Sequence, residues 1–298
     1  MKLGMIGLDT SHVSGFSKVF NDPACSDYIP GMAVAKAFPG GSAAFSLSVG
    51  RLDQFTSEVK GYGVEIVDSI QDLAGLDGYL LESVDGRQHL EQFEQLAAFG
   101  KPVFIDKPLA CSYADAKAIY DLSRKTGVPF FTASGIRYAS GVAGLCPAEE
   151  KVLSVETFGP MALLSEYRDY FWYGIHTADT LYAYLGQGCR TVEAISRGDI
   201  ELLVGTWQDG RTGICAGNRA GGYQFGARVL TDKAQHVSTL DPAEHYLKRL
   251  SHDMAAFFGG GAASIPPEES LEVIAFLEAA SRSRAAGGKP IALTEFMG

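Results

Sequence analysis

What the chain lacks sets the first limits. It has only five cysteines (Cys25, Cys111, Cys146, Cys189 and Cys215), odd in number, scattered, and never in a C-x-x-C pair. That excludes a disulfide framework and a thiolate zinc site, and fits reduced thiols of a cytoplasmic protein. Positive charge is scarce: 25 Lys and Arg face 35 Asp and Glu, a formal net charge of −10. Nucleic acid and anionic membrane are thereby excluded as main partners, although a local basic pocket for a phosphate stays open. No apolar run approaches the roughly 18–20 residues that a membrane helix needs. Lys2 leads straight into a strand with no apolar h-region, so no signal peptide is expected. There is no internal repeat, and the one low-complexity patch is GGGAAS at 259–264.

What is present is the punctuation of an α/β protein. Short apolar runs at 3–7, 33–38, 64–67, 78–82, 102–106 and 129–133 alternate with amphipathic segments. Several runs are continuously apolar, as expected of parallel strands covered on both faces. Ser69 with Asp72 caps a short helix. A second runs from His89 to Phe99, and Ser112 with Asp115 opens a third that ends at Gly127. Repeated βα units predict a Rossmann-type, doubly wound parallel sheet over 1–125. Beyond residue 135 the texture changes. A helix at 174–186 is followed by β-rich stretches at 191–206, 211–217, 223–231 and 234–240, then helices at 242–258 and 267–286. This predicts an α+β domain over 126–298 with a mostly antiparallel open sheet, its last helix able to pack back on the first domain.

The chemistry begins at the first turn, GLDTSH. Gly7 stands where a G-x-G-x-x-G dinucleotide fingerprint starts, but Asp9 and His12 replace the second and third glycines. Asp9 would set a carboxylate against a diphosphate, whereas Asp9, Thr10 or Ser11 would cap the following helix. The helix N-terminus still favours an anion, with Thr10, Ser11 and His12 supplying donors in place of glycine backbone. The alternative is a capped helix that has lost its nucleotide. After the second strand, Phe38-Pro39-Gly40-Gly41 carries no carboxylate for an adenosine ribose, so the choice between NAD and NADP stays open. Glu82 closes the fourth strand at the carboxyl edge of the sheet, as either a ribose or nicotinamide contact or a cap. Lys107 follows the fifth strand, faces the crevice where such sheets bind ligands, and would trade a proton with a substrate hydroxyl or carbonyl. His176 and Asp179 share a helix face as an acid/base pair and its orienter. No third ligand has convincing spacing beside them, so no metal is expected. Arg168, Trp172 and Tyr173, just before that helix, suit a polyol or sugar; an interface or core cluster is the alternative.

The stretch FIDKPLA at 104–110 resembles the acid-Lys-Pro motif of the Gfo/Idh/MocA oxidoreductases, a family that includes glucose–fructose oxidoreductase and inositol dehydrogenase. His89 before AFGKPVFIDKP, Arg137-Tyr138, GIHTADTLYAYLG at 174–186 and the closing EESLEVIAFLEAASRSRAAGGKPIAL are similar to further family motifs in the same order. The resemblance implies a nicotinamide cofactor, NAD or NADP, held partly by Asp106 and Lys107. It also implies a sugar, cyclitol or other polyol substrate touching Arg137, with Lys107 and His176 moving the hydroxyl proton. A homo-oligomer, dimer or tetramer, is the further expectation. The sequence departs from the family at the first turn, at the missing ribose acid, and at Trp172, where many members carry a catalytic Asp. Those departures favour, as the alternative, a non-redox sugar-ligand sensor or scaffold.

Overall fold

The computed structural model describes residues 1–222, 224–243 and 245–297. In chain order the first elements are β1 (Lys2–Ile6), α1 (Ser11–Asn21), β2 (Ala33–Phe38), α2 (Ser46–Val49), α3 (Leu52–Gly61), β3 (Glu65–Ile66) and β4 (Gly78–Leu81). Then come α4 (His89–Ala97), β5 (Val103–Asp106), α5 (Tyr113–Thr126), β6 (Phe130–Ala133), β7 (Val152–Pro160), α6 (Gly174–Leu185) and β8 (Cys189–Arg197). The chain closes with β9 (Ile200–Trp207), β10 (Thr212–Asn218), β11 (Gly226–Thr231), β12 (Gln235–Thr239), α7 (Lys248–Phe258), α8 (Pro267–Ala285) and β13 (Ile291–Ala292). Tyr223, which opens the strand expected at 223–231, and Glu244, within the helix expected at 242–258, lie outside the described residues.

Two units divide the chain: Met1–Ala133 with Leu247–Pro267, and Ser134–Tyr246 with Glu268–Gly298. The division falls after β6 rather than at 125, because β6 pairs in parallel with β5, and it carries α7 into the first unit. The first unit holds a parallel sheet in the order β3-β2-β1-β4-β5-β6, the Rossmann order. The expectation of a doubly wound parallel sheet is met, and β4, β5 and β6 are buried along their whole length. Aromatic rings fill one face, with Phe104 and Phe131 5.0 Å apart and Phe131 and Phe257 of α7 4.9 Å apart, centroid to centroid. Phe258 lies where a side chain at Gly78 would stand: a Cβ there would come within 2.6 Å of its ring.

The second unit holds the sheet β12-β11-β7-β10-β9-β8-β13, antiparallel except for the parallel pair β7·β10. The mostly antiparallel sheet is as expected, but β7, one of its inner strands, was not anticipated. Its inward positions are Val155, Thr157 and Gly159, so the apolar alternation that announces a strand is diluted. The stretch 191–206 resolves into two strands, β8 and β9, turned at Gly198 with φ +55°. Helix α6 covers one face, where Leu181 and Leu185 lie against Gly213 of β10. Leu153, Ile200, Leu230 and Val237 are exposed. Among the described residues no helix is long and apolar enough to cross a membrane.

Candidate active site

Gly7 turns the chain out of β1 with φ +85°, and a Cβ there would lie 2.3 Å from the backbone of Ser83. Both facts demand glycine, so the first position of the fingerprint keeps its physical reason. The second does not behave as a diphosphate neighbour. Asp9 is fully buried; one carboxylate oxygen accepts the Ser48 hydroxyl at 2.6 Å and the other the Val84 amide at 2.9 Å. Burial raises its pKa, and these two donors offset part of the rise. Asp9 therefore ties the first turn to α2 and to the segment after β4. Thr10, and neither Asp9 nor Ser11, caps α1, accepting from the His12 amide at 3.5 Å, while Ser11 is exposed.

His12, at the third glycine position, turns its ring to the sheet: Nδ1 lies 3.1 Å from Oδ1 of Asp106, the last residue of β5. The other carboxylate oxygen of Asp106 accepts from Lys107 Nζ at 3.3 Å. Burial works to raise the Asp106 pKa, but the His12 and Lys107 charges and their hydrogen bonds outweigh it and hold the group ionised well below the usual carboxylate range. Lys107 is 8% exposed and its peptide bond to Pro108 is cis. Glu82, just beyond β4, is fully buried with neither carboxyl oxygen hydrogen-bonded. Burial, then the negative charge of Asp106, raises its pKa well above normal. His89 is also fully buried, its ring nitrogens 2.7 Å from the Ser83 carbonyl and 3.2 Å from that of Leu109. Burial lowers its pKa, whereas the two carbonyl oxygens favour the form with a proton on each ring nitrogen; the neutral ring donates to one of them.

At the carboxyl end of β2 a cavity of about 350 Å³ opens, lined by Phe38, Gly40 and Gly41 and by Gln88 and Gln92 of the α4 segment. The side-chain oxygens of Gln88 and Gln92 are buried without a partner. Asp68 and Glu91 line the same cavity. The carboxylates absent from the end of β2 thus come from the end of β3 and from α4. Ser42 has no donor to spare here: its amide goes to the Ser48 hydroxyl at 2.7 Å and its hydroxyl to Asp85 at 2.6 Å.

In the second unit the predicted residues form a different network from the one expected. The Asp179 carboxylate accepts the Ser134 amide at 2.8 Å and Arg137 Nη1 at 3.1 Å. It is the Ser134 hydroxyl that meets His176 Nδ1, at 2.7 Å. Arg137 also donates to Glu269 at 2.6 Å, so its guanidinium bridges two carboxylates. Tyr173 and Phe225 stand edge-on to the His176 ring at 5.7 and 5.4 Å, and Trp172 packs edge-on against Tyr173. Arg168 lies over Phe171 and pairs with Glu278 at 3.5 Å. Ser134, Glu269, Gln88 and Gln92 were not singled out in the sequence. A polar stripe at 88, 92 and 95, spaced for one helix face, was the available signal for the glutamines.

A six-stranded sheet in Rossmann order with a lysine at the carboxyl end of its fifth strand, and a separate unit with a mostly antiparallel sheet, make a two-unit α/β architecture. Residues 43–134 match the Gfo/Idh/MocA family model, described as an oxidoreductase family with an NAD-binding Rossmann fold. The resemblance read from the motifs is thus found again over this segment, which includes His89 and the Asp-Lys-Pro motif and begins beyond the altered first turn. No curated protein matches in sequence. Among solved structures, a putative myo-inositol dehydrogenase from Sinorhizobium meliloti is similar in fold with TM-score 0.76 at 16% identity, over 98% of this chain and 99% of that one. The myo-inositol dehydrogenase of Lactobacillus casei, in complex with NAD(H) and myo-inositol, gives 0.76 at 15% over 98% and 96%. The scyllo-inositol dehydrogenase of the same organism, with NAD(H) and scyllo-inositol, gives 0.74 at 14% over 99% of each chain.

Proposed function

We propose that the protein is a nicotinamide-dependent dehydrogenase acting on a secondary hydroxyl of a polyol, sugar or cyclitol. The observation that carries this reading is Lys107, nearly buried at the carboxyl end of β5 and held by an ionised Asp106. The cofactor fits the residues present. The cavity beside Phe38 offers an apolar wall and two unpartnered amide oxygens, suited to the exocyclic amino group of an adenine. Asp68 and Glu91 suit a ribose diol and repel a 2′-phosphate, and no lysine or arginine is among the described lining residues; this favours NAD over NADP. When bound, the nicotinamide would take or give the hydride. In the reducing direction the Lys107 ammonium, held by Asp106, would give a proton to the substrate oxygen, and in the oxidising direction the neutral amine would take the hydroxyl proton. Thr10, Ser11 and His12 stay candidates for the phosphate side, and Asp9 contributes by fixing the turn.

The test is turnover of a polyol panel with NAD and NADP. Lys107→Met is expected to abolish turnover while keeping nucleotide affinity within a few-fold; unchanged activity would remove Lys107 from the chemistry. That His176 shares the proton is the further part of this reading. A double-mutant cycle of Lys107→Met with His176→Ala checks it, and additive losses would dismiss it. A cytoplasmic homo-oligomer belongs to the same proposal, supported by the exposed Leu153, Ile200, Leu230 and Val237 of the second sheet and checked by light scattering. The second reading, a non-redox sugar sensor or scaffold, is favoured by the buried carboxylate of Asp9 where a second glycine would let backbone approach a diphosphate, and by Trp172 and the missing ribose acid. Nucleotide released on denaturing the purified protein would rule it out.

A further inference from the structure

Three side chains from separate parts of the first unit meet at the carboxyl edge of its sheet: His12 from α1, Glu82 after β4 and Asp106 at the end of β5. One ligand-capable atom from each lies within 4.8 Å of the others. All three are buried, at 6%, 0% and 0% exposure. We propose that His12, Glu82 and Asp106 form a binding site for a divalent transition-metal ion, zinc by the chemistry of the donors.

Glu82 makes the first argument. Both of its oxygens are sealed from solvent with no partner, and one of them lies within 4.8 Å of a ligand-capable atom of Asp106. Protonation would ease the repulsion but leave a buried hydroxyl without an acceptor. A cation resolves both at once. Geometry makes the second. His12 Nδ1 and Asp106 Oδ1 are 3.1 Å apart. Two ligands at about 2.0–2.2 Å from one zinc ion stand roughly 3.3 Å apart in a tetrahedral shell. A metal would therefore take the place of the proton these atoms share, and that proton would leave to solvent. Glu82, with a ligand-capable atom within 4.8 Å of the other two, would move in to complete the set.

Donor chemistry and surroundings agree. One imidazole and two carboxylates make a three-ligand set that leaves a coordination position open. Lys107 holds the second oxygen of Asp106 at 3.3 Å, as an outer partner that orients a ligating carboxylate does. Residues 12, 82 and 106 are far apart in the chain, so no spacing motif announces them. The sequence, with no third ligand at convincing spacing beside His176 and Asp179, led to the expectation of no metal in the chain, and this proposal departs from it. This inference goes beyond the dehydrogenase reading and does not depend on it.

The test uses the full chain, treated with EDTA, desalted, and then given zinc sulfate or cobalt(II) chloride with no nucleotide present. Retention of about one equivalent of zinc after desalting, visible cobalt bands displaced by zinc, and a rise in melting temperature with zinc are expected. Glu82→Gln and His12→Gln should each lower retention by more than about tenfold, while the circular dichroism of the metal-free protein is unchanged. Zinc that is not retained by the wild-type chain, no cobalt bands at millimolar metal, or equal retention in Glu82→Gln would each overturn the site. Should the variants fail to fold, the wild-type retention and melting shift decide alone. An NAD titration in EDTA is read separately: metal without nucleotide binding sinks the dehydrogenase and leaves this site standing, and nucleotide without metal does the reverse.

Discussion

Replacing Arg137 by methionine separates two roles for one residue. A substrate contact is what the sequence suggests; the structure shows a guanidinium bound to Asp179 at 3.1 Å and Glu269 at 2.6 Å, with the three side chains only 13%, 8% and 11% exposed. Methionine keeps much of the volume and removes the charge, stranding two carboxylates. Breaking a buried ion pair from one side costs about 3–5 kcal/mol. Asp179 keeps the Ser134 amide, so the low end applies, about 3 kcal/mol, or ~6–12 °C at ~2–4 °C per kcal/mol for a unit of this size. The assay is built into the chain: both tryptophans, Trp172 and Trp207, lie in the second unit, so intrinsic tryptophan fluorescence follows that unit alone. Adding Asp179→Asn and Glu269→Gln to Arg137→Met should restore part of the loss, because no unpaired charge then remains. A melting midpoint within about 2 °C of wild type for Arg137→Met would refute the clamp and return the residue to substrate binding.

Gly7→Ala should destabilise the first unit by about 2–4 kcal/mol, because the new Cβ meets Ser83 backbone at 2.3 Å and the φ of +85° disfavours any side chain; a melting curve like wild type would contradict this. Gln92→Leu should weaken NAD binding by about tenfold with little change in melting, since it removes an acceptor from the cavity wall; unchanged affinity by calorimetry would take the adenine elsewhere. Glu272 carries the pH prediction. Its carboxylate accepts the Gly188 and Cys189 amides at 2.7 Å each, and burial raises its pKa above the ordinary 4.5. The folded chain keeps this proton where the unfolded chain releases it, so the wild type loses stability relative to Glu272→Gln as pH rises from about 4.5 towards the folded pKa. The reverse trend in urea midpoints would show that the amides, rather than burial, dominate.

The first sheet was legible because β4, β5 and β6 are buried on both faces and are written as continuous apolar runs. Helix ends were legible where chemistry marks them: Ser112 caps α5 through the Asp115 amide, and Gly127 ends it at φ +74°. β7 was not, since two of its three inward positions hold Thr157 and Gly159. Lys107 and Asp106 could be named from a local motif. The contact of Asp106 with His12 spans 94 residues and that of His176 with Ser134 spans 42, and only the folded chain brings such partners together. Asp9 was readable as an anomaly, but not as a bracket, because its partners Ser48 and Val84 belong to α2 and to the segment after β4.

The return of residues 247–267 to the first unit has a consequence for synthesis and for engineering. Phe257 and Phe258 complete the packing against Phe131 and Gly78, so a ribosome that has delivered only the first 133 residues has delivered a sheet with one flank bare. Maturation of the amino-terminal half must wait for a segment made more than a hundred codons later. A fragment ending at 133 should therefore aggregate when expressed by itself, and grafting 247–267 onto it through a flexible linker should render it soluble.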